Sequence, residues 1–430
     1  MRGRTVGLLL ACRRGAIASI SAHPVDLDAL LRMKGSGRAM SASRIYLDHN
    51  ATSPLRAEAR AAMLDAFLAP ANPSSIHQEG RKARSLIEAA RDEIARFTGA
   101  SARDVVFTSG GTEALNLALT PGLLTDGDKQ AFTHLLMSGI EHAAVREGAR
   151  FPKDRIEIVP VDRAGLIDLD WIAARLKAIS AEGGRALVAV QSANNETGVI
   201  EPIAALSQIV HAERGLLLSD AVQVAGKLPL DQITAGADII ALSAHKIGGP
   251  QGVGALVLKS GGISIADKLL HGGGQERGAR AGTENVAGIA GFAAAAKISG
   301  AHLADETKRL EGLRDATEAH LERVAPETVI FSKAVARLPN TIAFAVPGLS
   351  AETALMAFDL EGAAISSGSA CSSGKVRQSH VLAAMGIDPD LARGALRVSF
   401  GYTSNEADMI RFIEIFERVI GQFHTRTRAA

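Results

Sequence analysis

From about Glu79 onward, apolar residues recur every three or four positions in long stretches, and these alternate with short apolar runs that end in polar or glycine-rich turns. The first spacing keeps one face of a helix apolar, and the second suits strands that are buried on both sides. Arg81 to Phe97 shows the helical spacing in Ala83, Leu86, Ile87, Ala90, Ile94 and Phe97. Strand candidates are Asp104 to Phe107, Leu135 to Ser138, Arg155 to Pro160, Ala186 to Gln191, Gly215 to Ser219, Asp238 to Ser243 and Gly254 to Leu258. Helices alternating with these strands predict an α/β fold built on a mostly parallel, seven-stranded sheet. A long alanine- and charge-rich helical stretch, Ala293 to Ala325, then leads to a last segment with strands Thr341 to Val346 and Leu396 to Phe400 and a closing helix, Ser404 to Gln422. The expected organisation is a large domain over residues 43–300, whose first residues can pack on the other domain, and a smaller α+β domain over 301–430.

Composition narrows the class. A chain of 430 residues suits two unequal domains, and a net charge of +1 lacks the basic excess of a phosphate-backbone binder, so nucleic acid is not an expected partner. The cysteines are Cys12 and Cys371 alone, which gives no disulfide framework, no zinc-ligand spacing and hence no intrinsic metal site, and fits a reducing cytoplasm. The longest apolar run, Val286 to Ala296, falls short of the roughly 18 residues that span a bilayer, so no membrane segment is expected. Arg2, Arg4, Arg13 and Arg14 surround Val6 to Cys12, an apolar core that only reaches the lower end of the roughly 7–15 residues of a secretory signal. Residues 1–42 are therefore expected to be a disordered extension, with translation starting at Met33 or Met40.

Several strand ends carry chemistry. Lys246 follows the run Asp238 to Ser243, and a partly desolvated amine there can condense with an aldehyde; a lone lysine in a glycine turn is ordinarily a surface residue. Asp220, with Gln223 nearby, ends another run, and an aspartate beside a pyridine nitrogen keeps that ring protonated as an electron sink, although alone it reads more often as a helix N-cap. Together the amine and the acid suggest pyridoxal phosphate. Thr108 to Glu113 forms a strand, a glycine turn and a helix start, an anion site in which Thr112 is the phosphate ligand. His142 can stack on the ring and shuttle protons, and the amide in Asn194 to Gly198 can bond its phenolic oxygen. Cys371 lies in a loop of serines and glycines, Ser366 to Gly374, that can swing, so its thiolate can reach a substrate sulfur. Arg397, a cation among apolar strand residues, is a candidate for an α-carboxylate, with a structural ion pair as the competing reading. Gly272 to Asn285 reads as a flexible loop whose two arginines can reach a phosphate, or as a solvated glycine loop.

Taken in order, Tyr46 to Thr52, Asn72 to His77, Ser-Gly-Gly-Thr-Glu at 109–113, Asn-Asn-Glu-Thr-Gly at 194–198, Ser-Ala-His-Lys at 243–246, Arg-Ala-Gly-Thr-Glu-Asn at 280–285 and Ser-Ser-Gly-Ser-Ala-Cys at 366–371 resemble the cysteine desulfurases of the class V aminotransferase family. The serine-rich cysteine loop resembles the group that supplies iron–sulfur cluster assembly. The resemblance implies the type I fold of pyridoxal-phosphate-dependent transferases. It also implies Lys246 as Schiff-base lysine, Asp220 and Gln223 on the ring, and His142 above it. Gly111, Thr112, Ser243 and His245 are implied at the phosphate, Asn195 near the ring and the substrate, Arg397 on the substrate carboxylate, and Thr283 reaching a phosphate across a homodimer interface. Cys371 becomes the persulfide carrier, able to ligate an iron–sulfur cluster transiently. L-cysteine is the implied substrate and a sulfur-acceptor protein, such as a cluster scaffold, the implied partner; the short tail after Gln422 leaves scaffold docking open. A selenocysteine lyase, an aminotransferase of the same fold and a non-catalytic assembly partner are the alternative readings.

Overall fold

In the computed structural model the described residues are 44–68, 71–126, 130–259, 262–368 and 378–429. The extension over 1–42 and Cys371 lie outside them, so the expectations on those residues stand as made. The expected sheet forms from strands β1 (Val105–Thr108), β2 (His134–Ser138), β3 (Ile156–Val159), β4 (Ala186–Ala189), β5 (Leu216–Asp220), β6 (Ile239–Ser243) and β7 (Gly254–Leu258). Their order in space is β1-β7-β6-β5-β4-β2-β3. Neighbours from β6 to β3 run parallel, whereas β7 is antiparallel to both β6 and β1. β1 therefore points the same way as β6, and six strands bring their carboxyl ends to one edge.

Alternation along each strand explains the two layers of core. Leu217, Ile240 and Leu242 pack in one apolar cluster, while Leu216, Leu218, Ile239 and Ala241 join another on the opposite face. Each such leucine or isoleucine contributes about 1.5–3 kcal/mol by leaving water. The helix Gln78–Thr98 covers one face; His77 caps it by accepting from Gly80 N, and Gly99, at φ 64°, ends it in the left-handed region that favours glycine.

Two helical elements differ from the sequence expectation. The stretch Ala293 to Ala325 is two helices, Val286–Ala301 and Leu303–Val324, bent by 73° at His302. Alanine-rich, buried residues serve the first and a charged outer face the second, so propensity alone runs through a break set by packing. Among the described residues, no single helix is long and apolar enough to cross a membrane. The closing helix, Glu406–Ala429, also runs past Gln422.

The second sheet contains β8 (Val329–Ile330), β9 (Thr341–Ala345), β10 (Ser366–Ser367) and β11 (Leu396–Ser399), ordered β8-β9-β11-β10. Ser366 and Ser367, expected as loop, are a buried edge strand whose partners are Arg397 and Leu396. The first described strand, Ile45–Tyr46, pairs in parallel with Ala363–Ala364, and Asp48 bridges to Ser399. Residues from opposite ends of the chain thus share one neighbourhood.

Candidate active site

The carboxyl edge of the large sheet opens into a cavity of about 270 Å³. A ligand crevice at that edge is the general outcome for open α/β sheets, because turns after successive strands converge there. Gly111 and Thr112 follow β1, His142 follows β2, Gln191 and Asn195 follow β4, Asp220 ends β5 with Val222 and Gln223 after it, and Ser243 ends β6 with His245 and Lys246 after it; all line the cavity. Asn50 reaches it from the chain's beginning and Arg397 from β11. Of the site residues expected from sequence, ten line this single space: Gly111, Thr112, His142, Asn195, Asp220, Gln223, Ser243, His245, Lys246 and Arg397.

Lys246 Nζ donates to the carbonyl oxygens of Asn50 at 2.6 Å and Ala51 at 2.9 Å. Asn50 O also accepts from Gln223 Nε2 at 3.0 Å, and Asn50 Nδ2 donates to Thr341 Oγ1 at 2.9 Å. Lys227, buried behind the cavity, donates to Asn50 Oδ1 at 3.1 Å and to Gln223 Oε1 at 2.8 Å. Burial first, then the positive charges of Lys246 and Arg397, holds its pKa well below that of a free lysine. Neither Asn50 nor Lys227 was found by reasoning on the sequence. Asn50 sits in a motif whose individual roles its spacing does not reveal, and Lys227 carries no signal beyond a lysine after a glycine.

Asp220 is buried, and Oδ1 accepts from Val222 N at 3.0 Å, so it caps a turn rather than a helix. Burial raises its pKa, against the pull of that hydrogen bond and of the charges on His142 and Lys246. A cationic ring nitrogen opposite would compensate the desolvation and keep the carboxylate ionised. His142 Nδ1 accepts from Ala144 N at 3.1 Å, which places the proton of the neutral ring on Nε2. Glu141 beside it is fully buried and accepts from Gln191 N at 2.8 Å, and burial raises its pKa well above that of a free glutamate.

A second buried acid yields a test away from the cavity. Glu201 accepts from Ile167 N at 3.1 Å, its Oε1 has no hydrogen-bond partner among the described residues, and burial lifts its pKa from 4.5 to about 8. The folded state then holds this proton more tightly than the unfolded chain. Its contribution to stability is full below the unfolded value and disappears as pH rises through about 8. Glu201→Gln is expected to reduce, by about one proton, the fall of unfolding free energy between pH 5 and 8. Urea unfolding at several pH values measures that slope, and an unchanged slope contradicts the assignment.

The turn after β1 has the form of an anion cradle. Gly111 opens the helix Gly111–Ala118, and a Cβ there would come within 2.9 Å of Val222 Cγ2, so the close approach of backbone to cavity needs glycine. Thr112 stands in the first turn of that helix. His245 Nδ1 lies 3.1 Å from Thr52 Oγ1, and burial together with Lys246 lowers its pKa to about 4, so the ring is neutral. Arg397 donates through Nη1 to Asn195 O at 2.9 Å and through Nη2 to Asp48 Oδ1 at 2.6 Å. Its Nε is buried without a partner among the described residues. The ion pair is therefore present, and Arg397 still lines the cavity with Nε unsatisfied by the described residues. An amine, a buried carboxylate, an imidazole, an anion cradle and an unsatisfied guanidinium donor together fit a phosphorylated pyridine aldehyde and an amino acid.

Thr283 stands apart from this cavity, in a separate depression with Ser109, Gly252, Arg280 and Glu284. Its loop exposes Gly272 to Gly274 and Thr283 to solvent, as one expected reading had it, but is tied down by buried contacts at Glu276. Glu276, in the left-handed region at φ 47°, is buried and takes a two-pronged hydrogen bond from Arg91 at 2.7 and 2.9 Å, and Phe107 N donates to it at 2.9 Å. Arg280 donates to Glu113 at 2.9 Å, and Arg277 donates to the carbonyls of Arg103 and Val105 at 2.7 Å. The two arginines expected to reach a phosphate are thus engaged within the chain, which sequence spacing had no means of showing.

Comparison with known proteins agrees with this geometry. The sequence pattern of the class V aminotransferases, a pyridoxal-phosphate-dependent family, matches residues 45–412, and the chain belongs to that family. It is 39% identical to the cysteine desulfurase IscS of Dictyoglomus turgidum over 389 residues, covering 89% of this chain and 95% of the relative. It is 36% identical to cysteine desulfurase IscS 1 of Archaeoglobus fulgidus, covering 87% and 96%. These relatives place it, within the family, among the cysteine desulfurases. Among solved structures, a NifS-like protein from Rickettsia africae ESF-5 superposes with a TM-score of 0.78 at 34% identity, covering 88% of this chain and 99% of that one. SspA in complex with cysteine superposes with a TM-score of 0.67 at 30% identity, covering 83% and 98%.

Proposed function

We propose that this enzyme binds pyridoxal 5′-phosphate and removes the sulfur of L-cysteine onto Cys371, leaving L-alanine. The observation that carries the reading is the meeting of Lys246, Asp220, His142 and Arg397 on one cavity, though they stand far apart in sequence. Lys246 is the amine that attaches the cofactor, Asp220 holds the ring nitrogen protonated, Gln223 and Asn195 hold the ring, and His142 lies over it. Gly111, Thr112, Ser243 and His245 hold the phosphate, with Thr283 of a second copy as a further ligand in a homodimer. Bound pyridoxal phosphate supplies an aldehyde carbon for amines and a protonated ring that accepts electron density from the substrate's α-carbon.

The chain's own residues do the rest. Arg397 orients the substrate carboxylate through a charge-assisted hydrogen bond, and the Lys246 amine and His142 imidazole are the bases that move the α-proton. The Cys371 thiolate attacks the substrate sulfur; an S–S bond forms as the C–S bond breaks, and the electron pair left on the β-carbon takes up a proton to complete alanine. The persulfide then passes to a thiol of an acceptor protein, in iron–sulfur cluster, thio-cofactor or tRNA sulfur supply. Such a carrier works in a reducing compartment, the cytoplasm, where Cys371 stays a thiol between turnovers. Cys371→Ala is expected to reduce sulfur release from cysteine to background while the yellow absorbance of the bound cofactor is retained. Turnover at the unsubstituted rate would remove Cys371 from the mechanism.

A further inference from the structure

Lys227 takes no part in the chemistry above, yet it is held in the protein interior at 7% exposure. A buried ammonium is costly, and its hydrogen bonds among the described residues go to amide oxygens, Asn50 Oδ1 and Gln223 Oε1. Asp220 to Lys227 follows β5 as a turn with helical hydrogen bonds, Ala221 O accepting from Ala225 N at 3.1 Å. Residues four apart on such a turn lie on one face, which sets Lys227 under Gln223. The lysine is anchored from behind as well, because its carbonyl accepts from Thr307 Oγ1 at 2.8 Å.

The chemistry of the partners fixes which way the Gln223 amide points. An amine offers hydrogens to Oε1, and the Asn50 carbonyl, an acceptor only, faces Nε2 at 3.0 Å. Turning the amide over would set its NH₂ against the lysine's hydrogens and its oxygen against a carbonyl oxygen. We propose that Lys227 is a positioning residue for the cofactor: by holding Gln223 Oε1 it presents the amide NH₂ to the cavity as a donor to the anionic oxygen of the ring. Without Lys227 the amide keeps only the Asn50 carbonyl on Nε2, since Asn50 Oδ1 keeps its other donor, Asn340 Nδ2 at 3.1 Å, but Gln223 Oε1 keeps none of those described, and its orientation is weakened.

This inference rests on the cofactor reading given above, and one titration separates the two. A ring oxygen that loses a donor carries more negative charge and holds the neighbouring proton on the Lys246 nitrogen more tightly. Lys227→Met is therefore expected to raise the pH midpoint of the cofactor's visible absorbance change by about one unit, the effect of one hydrogen bond to a charged group. Gln223→Leu is expected to shift the midpoint in the same direction, and Lys227→Met added to Gln223→Leu to shift it no further, because the lysine acts through the amide. A midpoint equal to that of the unsubstituted enzyme, with or without a lower Tm, overturns the inference, as does a Lys227→Met shift that persists in full beside Gln223→Leu. Should Lys227→Met not accumulate as folded protein, Lys227→Gln, with a polar end but a shorter reach, is read the same way. An unsubstituted enzyme that takes up pyridoxal phosphate without visible colour overturns the cofactor reading itself and this inference with it.

Discussion

Lys246→Ala is expected to lower sulfur release from cysteine by about a thousandfold or more, since in the proposed mechanism it removes both the point of cofactor attachment and a base at the α-carbon. The loss should be chemical and not structural. Of the two carbonyls that Lys246 holds, Asn50 O still accepts from Gln223 Nε2, so a folded protein with an intact cavity is expected. Borohydride reduction followed by peptide mapping should find the cofactor on Lys246 in the unsubstituted enzyme and nowhere in the variant. Added methylamine should restore part of the rate by standing in for the missing amine. A variant that keeps its rate and still traps cofactor covalently would show that another group is the amine.

The largest stability effect is expected at the other end of the sheet edge. Arg91 and Glu276 are both almost wholly buried, and Glu276→Ala leaves the guanidinium without its two-pronged partner and Phe107 N without an acceptor. Breaking a buried pair from one side costs about 3–5 kcal/mol, because the remaining charge is desolvated and uncompensated. Arg91 keeps Val105 O at 2.8 Å and a contact at 3.3 Å to the less buried Glu88, which limits the loss. Replacing both partners, Arg91→Met with Glu276→Leu, should cost much less, since no charge is then stranded. Denaturant unfolding of the single and double variants decides this; equal losses in both would mean that packing, not charge, sets the stability here.

Reading the chain alone recovered the seven strands of the large sheet and the residues at their carboxyl ends, because buried strands and the turns that follow them leave local patterns. Asp220, Ser243 and Lys246 were legible for that reason: each stands at or within a few residues of the end of an apolar run. What escaped was made by distance along the chain. Asn50 owes its place to Ile45–Tyr46 pairing with Ala363–Ala364, and nothing near Asn50 in sequence announces that pairing. The same holds for Asp48 against Arg397, for Arg91 against Glu276, and for the edge strand Ser366–Ser367, whose polar residues hide a buried position beside Leu396 and Arg397. The break at His302 was hidden for a different reason, since alanine and charged residues favour helix on both sides of it.

The joining of the chain's first described strand to its last third has a consequence for biosynthesis. On a ribosome, Asn50 emerges long before Arg397 and the β11 residues that anchor it. The nascent polypeptide can assemble its parallel strands, but the chamber at their tips stays unfinished until Arg397 has been made. A growing chain therefore passes through an interval in which a folded sheet has only part of its pocket.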